Sequence, residues 1–247
     1  MTPPSNAAPP HVDPAPVTRA PEAVDASRDR NHLVVLLGVT SGATDAIGFL
    51  ALGSAFTSVM TGNMVLLGIA AAHQNLRDLA LVAVAIGSYV TGAAVGARVC
   101  GTHQEGDGVW PAGVTRGLRV ELVLFSLFAV AWWVLGSQPA EHFFLPLLAV
   151  NAAALGIQSS AIQRFGVSGL STTYLTGTLT SVTIRLVSGK GIRAVRHSVA
   201  ILGGLIAGAA IGATLVRFAP VAVPLIQLLT VGAVLVLVRL RRSRWAT

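Results

Sequence analysis

The sequence predicts an all-α, polytopic helical membrane protein made of two related halves, and three observations predict it. Only 11% of the 247 residues are charged and 53% are hydrophobic, with a mean hydropathy of +0.71; a soluble domain is about a quarter charged. The apolar residues come in blocks of 18 to 21 residues, enough to cross about 30 Å of hydrocarbon at about 1.5 Å per helical residue. The blocks are continuous rather than alternating, which selects helices over a barrel, the only other structure that spans lipid.

Taken in order, residues 1–31 hold seven of the twelve prolines and charges of both signs. They lack the apolar core of a signal peptide and read as a disordered, Pro-rich cytoplasmic tail. The transmembrane domain covers 32–240, with spans at about 33–53, 79–99, 118–136, 143–163, 198–216 and 221–238. Two further stretches are poor lipid-facing helices. One is 56–72, with Thr57, Ser58, Thr61, Gly62 and Asn63; the other is 171–187, half of it hydroxyl residues and carrying Arg185. Residues 239–247 form a basic cytoplasmic tail, in which Arg239, Arg241, Arg242, Arg244 and Trp245 anchor the last helix.

Positive charge distinguishes the topologies. If the two doubtful stretches do not cross, fifteen Lys and Arg lie inside and only Arg77 and Arg217 outside; if both cross, the split is twelve against five. Six spans, each half with one broken or re-entrant segment, obey the rule better than the alternative of eight full spans. Both termini are then cytoplasmic.

An internal repeat relates the halves, about 33–136 and 143–238. "MTGNMVLLG" at 60–68 matches "LTGTLTSVT" at 175–183, and Thr44–Ile47 falls on Ser159–Ile162, both at an offset of 115. "SYVTGAAVGA" at 88–97 matches "GLIAGAAIGA" at 204–213 at 116. With three crossings per half the copies have opposite orientation, as in many secondary transporters.

Few residues can carry chemistry. Asp45 alone among the ten acids lies deep in a strong span, about 18 Å along a helix from Leu33. It reads as a cation or proton site, or as a structural acid satisfied by Thr40, Ser41 and Thr44. Thr61-Gly62-Asn63 and Thr176-Gly177-Thr178 occupy matching positions, where a glycine-interrupted segment points to a solute site; packed helices with back-bonded hydroxyls are the plainer reading. The span at 143–163 adds Asn151, Gln158, Ser159 and Ser160, as cavity lining or as polar glue. Gly38, Gly42, Ser88, Gly92, Gly96, Gly204, Gly208 and Gly212 form small-xxx-small runs for helix packing, within a protomer or between protomers of a homo-oligomer. Arg119 and Glu121, near a span end, read as interfacial.

The net charge of +7 and pI of about 11.2 reflect loop residues that set topology, so no nucleic-acid partner is expected. Cys100 is the single cysteine, and the histidines (11, 32, 73, 103, 142, 197) are far apart, so no disulfide, metal site or cofactor is expected. No nucleophile elbow, P-loop or zincin motif is present, and no enzyme activity is expected.

Asp45-Ala46, Phe49-Leu50, Leu52-Gly53, Phe56 and Met60-Thr61-Gly62-Asn63, with Leu66-Leu67-Gly68 behind, resemble the signature of the YoaK-like family of bacterial membrane proteins, defined by a domain of unknown function. The likeness covers roughly 32–240. It implies a multi-pass protein of the bacterial inner (plasma) membrane and brings no substrate; Val59 stands where a polar residue is common. The expected function is a small-solute or ion transporter or channel with a midplane site between inverted repeats, its partners the lipid bilayer and that solute. The alternative is a non-transporting accessory or scaffold protein that packs through its glycine faces.

Overall fold

The computed structural model describes residues 21–104, 107–166, 175–189 and 191–241, without the side chains of 21–27, 175 and 193–194. Eight helices follow in order: α1 (Pro21–Ala51), α2 (Met60–Ala72), α3 (Leu76–Cys100), α4 (Ala112–Val134), α5 (Phe144–Gln163), α6 (Leu175–Val187), α7 (Gly191–Phe218) and α8 (Val223–Arg241). No strand occurs among the described residues. Six of the helices (α1, α3, α4, α5, α7 and α8) are long and apolar enough to cross a membrane. α2 and α6 have 13 residues each, about 20 Å of helix, short of the roughly 30 Å a span needs. The described residues thus hold six candidate spans, the number the six-span reading expects, and two short helices stand at the doubtful stretches. Residues 171–174 of the second stretch lie outside the described residues.

Three boundaries differ from expectation. α1 starts at Pro21, so residues 21–31, read as tail, are helical; proline suits a first helical turn, and Asp29 is held by Arg241 at 2.6 Å. Residues 1–20 and 242–247, the rest of the two tails, lie outside the described residues. α4 starts at Ala112, right after Pro111, six residues before the apolar run at 118 because Arg116 and Arg119 mask the helix in a hydropathy reading. α7 likewise begins at Gly191 rather than 198.

Close backbone contacts set the bundle. α1 and α7 run parallel: a Cβ on Gly42 would collide with the Leu205 carbonyl, one on Gly208 with the Val39 carbonyl, and one on Gly212 would lie 2.7 Å from the Ala43 oxygen. α3 and α5 also run parallel: Gly92 lies against the Ala153 carbonyl, Gly156 against that of Tyr89, and a Cβ on Gly96 would be 2.9 Å from the Ile157 Cα. Only glycine permits such approach, the device that joins membrane helices where no hydrophobic force separates protein from lipid. α8 runs antiparallel to α1, with Thr40 beside Thr230 and Gln227 beside Thr44. The indoles of Trp132 and Trp133 at the end of α4 donate to the carbonyls of Pro220 and Val221 before α8. The pairs α1/α5, α3/α7 and α4/α8 consequently run in opposite directions.

Two apolar clusters fill the interior. One contains Leu37, Leu118, Phe125, Leu155 and Val234, the other Ile47, Phe128, Trp132, Leu148 and Val223. Val90, Val123, Leu127, Ile206, Leu229 and Val236 are exposed on the outside, as lipid requires of a spanning helix. Ion pairs sit at the two ends of the bundle: Arg77–Glu141 (2.7 Å) at one, Arg164–Asp107 (2.9 Å) and Arg241–Asp29 at the other.

Candidate functional site

Asp45 is buried in α1, six residues before its end. Its Oδ1 accepts from the Thr57 amide (2.8 Å), the Thr57 hydroxyl (3.0 Å) and the Ser58 amide (2.7 Å), and its Oδ2 from the Ser58 hydroxyl (2.6 Å). Four donors thus fold around one carboxylate. They belong to the chain that leaves α1 through Gly53 and Ser54, both at positive φ, and turns back into the bundle. α2 therefore begins at the depth of Asp45, about 9 Å inside the end of α1, and runs out again to α3. The carboxylate is an internal cap for a re-entrant loop. Its partners are Thr57 and Ser58 rather than Thr40, Ser41 and Thr44.

Asn63 completes the lock. Its Oδ1 accepts from the Phe56 amide (2.9 Å) and its Nδ2 donates to the Phe56 carbonyl (2.7 Å), and the Phe49 and Phe56 rings stack at 4.9 Å. Gly62 packs on Phe56 and Val59, and Thr61 is exposed. The helix is thus not broken at Thr61-Gly62; the irregular backbone lies before it, at 52–59. In α6, Thr176 is exposed, Gly177 half-buried and Thr178 buried. The Thr180 and Thr183 hydroxyls there donate back to the carbonyls of Thr176 and Leu179. α2 packs chiefly on α3 and α6 on α7, so the two Thr-Gly segments lie against different helices.

The polar groups that do come together line the seam of α1, α5 and α8, between the two apolar clusters. Asn151 Nδ2 donates to the Leu147 carbonyl (2.9 Å), and Asn151 Oδ1 accepts from Gln227 Nε2 (2.7 Å), which also reaches Thr44 Oγ1 (3.0 Å). The Thr44 hydroxyl donates to the Thr40 carbonyl (2.8 Å), and the Thr40 hydroxyl to that of Thr230 (2.7 Å). Gln158 Nε2 donates to the Ser41 hydroxyl (2.7 Å) and the Leu37 carbonyl (3.2 Å). Main-chain carbonyls at Leu147 and Leu37 accept only, so they fix which way the Asn151 and Gln158 amides face, and Asn151 Oδ1 in turn fixes Gln227. That leaves Gln158 Oε1 and Gln227 Oε1 buried with no partner among the described residues. All of these residues are buried.

Of the residues singled out from sequence as solute ligands or cavity lining, only Gln158, with Asn151 beside it, belongs to this seam, and Thr40, Ser41 and Thr44, read as partners of Asp45, join it instead. The Ser160 hydroxyl turns away to the Ala93 carbonyl (2.7 Å) and stitches α5 to α3. Gln227 and Thr230 were missed, although a lone glutamine with a threonine three residues on marks one helical face of an otherwise apolar run. Glu121 was misplaced. With α4 starting at Ala112, it lies about 14 Å inside the helix, fully buried, and both carboxyl oxygens lack a partner among the described residues. The packing glycines are used within the protomer, while Ser88 lines a groove of about 630 Å³ beside Gly87, Thr91 and Leu124. No group of three metal-ligating side chains occurs among the described residues.

Residues 33–238 match the family described as "Protein of unknown function (DUF1275)". The UPF0700 transmembrane protein YoaK of Bacillus subtilis (strain 168) is 34% identical over 153 residues, which are 62% of this chain and 65% of that protein, just under two thirds of its length. No solved structure matches the chain.

Proposed function

The chain belongs to the DUF1275 family of multi-pass membrane proteins, and on that premise we propose that it moves a small polar solute or an ion across the membrane. The observation that carries this reading is the seam of amides and hydroxyls at the middle of the bundle. It draws Thr40, Ser41 and Thr44 from α1, Asn151 and Gln158 from α5, and Gln227 and Thr230 from α8. Apolar side chains would close this layer more cheaply. A buried hydrogen-bond network is favourable only when complete, and this one keeps acceptors unfilled.

The mirrored packing supports two inverted repeats. Gly208 on the Val39 carbonyl is matched by Gly92 on the Ala153 carbonyl, and Gly42 near the Ala209 amide by Gly156 near the Ala93 amide. From 92 to 208 and from 93 to 209 the shift is 116; from 39 to 153 and from 42 to 156 it is 114. At 114, Thr44 is the counterpart of Gln158, and Asp45 of Ser159 rather than Ser160. One seam pair, Thr44 of α1 and Gln158 of α5, then occupies equivalent positions of the two halves, as expected of a site between inverted repeats. Rocking of one parallel pair, α1 with α7, against the other, α3 with α5, gives alternating access. The accessory-protein reading needs glycine faces free for partner helices, and seven of the eight small residues in those runs are used inside the protomer.

The test is flux. The full chain in liposomes is screened against monovalent cations, amino acids and monocarboxylates. An active solute is expected, with Gln227→Leu lowering its uptake by about tenfold or more in folded protein, the effect of one lost buried hydrogen bond of about 1.4 kcal/mol. No flux of any class, together with co-purification of a stoichiometric membrane partner, would favour the accessory role and overturn the proposal.

A further inference from the structure

Glu121 carries the inference that goes furthest. It lies on α4 between Leu118 and Phe125 of an apolar cluster. α4 and α5 are antiparallel, and a Cβ on Gly117 would touch Ala161 at 3.3 Å and Ile157 at 3.7 Å. Glu121, one turn further along, is level with the stretch Leu155–Gln158. The groups facing it can be counted from the spans packed there. α5 from Phe144 to Gln163 and α8 from Val223 to Val238 contain no titratable side chain, and α1 from Leu33 to Ala51 contains only Asp45, which already accepts four hydrogen bonds from Thr57 and Ser58. α3 brings Cys100 near its end, against Gly117, and α4 itself brings Arg116 and Arg119 at its outer turns. Those stretches of α1, α5 and α8 contain no basic side chain, and no donor among the described residues reaches either oxygen.

An ionised carboxylate in that setting lacks water, counter-ion and hydrogen bonds together, a combination that proteins avoid. A protonated carboxyl is a donor, and Gln158 Oε1, at the same level, is an acceptor without a partner among the described residues. We propose that Glu121 is a proton-binding site of this chain: it holds its proton while enclosed between α4, α5 and α8, and gives it to water when those helices part. The role of that proton in coupling rests on the transporter reading; the protonated state itself does not.

Infrared spectroscopy of the full chain in liposomes at neutral pH tests it without knowledge of the solute. Four glutamates are present, Glu22, Glu105, Glu121 and Glu141, and Glu141 is exposed and paired with Arg77. In a background with Glu22→Gln and Glu105→Gln, the carbonyl band of a protonated carboxylic acid is expected. It should shift when heavy-carbon glutamate is incorporated and disappear in Glu121→Gln. If Glu121→Gln does not fold, the isotope shift in the background protein still decides. No band, the outcome if Glu121 instead holds a monovalent cation, overturns the proposal. So does a band that glutamate labelling leaves in place, which would belong to an aspartic acid. A shifted band without solute flux keeps the proton site and removes the transport reading; flux without a band does the reverse.

Discussion

Asp45 and Glu121 are both carboxylates buried in crossing helices, and their surroundings are opposite. Asp45 receives four hydrogen bonds, two from main-chain amides and two from hydroxyls. Glu121 receives none from the described residues. Burial of an acid in a membrane span marks function only in general; the inventory of donors decides between cases. An acid whose two oxygens both accept hydrogen bonds from its own chain is part of the scaffold. An acid with none is unfinished in this conformation, and its completion has to come from something that arrives.

The widest separation between the two sites is in stability. Asp45→Ala leaves the amides of Thr57 and Ser58 and their hydroxyls without an acceptor, and each buried orphan costs about 1–3 kcal/mol. The expected loss is about 4 kcal/mol or more, read as a drop in thermal stability in detergent and as new protease cleavage within 52–59. If Asp45→Ala melts with the wild type, the carboxylate is not what folds the re-entrant loop, and the contrast collapses. Asn63→Ala probes the same lock from α2. It removes two bonds to the Phe56 backbone and should cost about 2 kcal/mol, with the same local cleavage. An effect spread over the whole chain would show that the loop does not open separately from the bundle.

Gln227→Leu tests the seam that lies between the two acids. It strands Asn151 Oδ1 and Thr44 Oγ1, but it also removes the orphan Gln227 Oε1, so the net loss should be only about 1 kcal/mol. A thermal shift as large as that of Asp45→Ala would mean that the seam is structural glue.

Why one acid was legible and the other was not follows from what sequence carries. The span count and the Thr-Gly segments were readable because hydropathy and glycine are local signals, and Asp45 stood out because its neighbours are apolar on both sides. Its role was not readable. The donors come from residues 57 and 58, beyond a turn whose direction depends on Gly53 and Ser54 at positive φ. Glu121 was lost through a boundary error, since Arg116 and Arg119 make the first turns of α4 look like a loop although they are helical. The seam joins three helices far apart in the chain, and Gln227 has a partner only once α8 is folded back on α1.

The smallest expected effect is the most informative. Glu121→Leu replaces a carboxyl that has no partner among the described residues with an apolar side chain of similar size, inside an apolar cluster. Replacing buried ionisable groups by well-packed apolar ones is often neutral or stabilising, because the desolvation cost disappears and no hydrogen bond is lost. The expected change in stability is within about 1 kcal/mol of zero, measured by thermal or denaturant unfolding in the same detergent as Asp45→Ala. A loss of several kcal/mol would show that Glu121 has a structural partner after all, and the two acids would then be alike. A neutral result leaves an acid that contributes nothing to the fold in this state, which is what a residue kept for binding a proton requires.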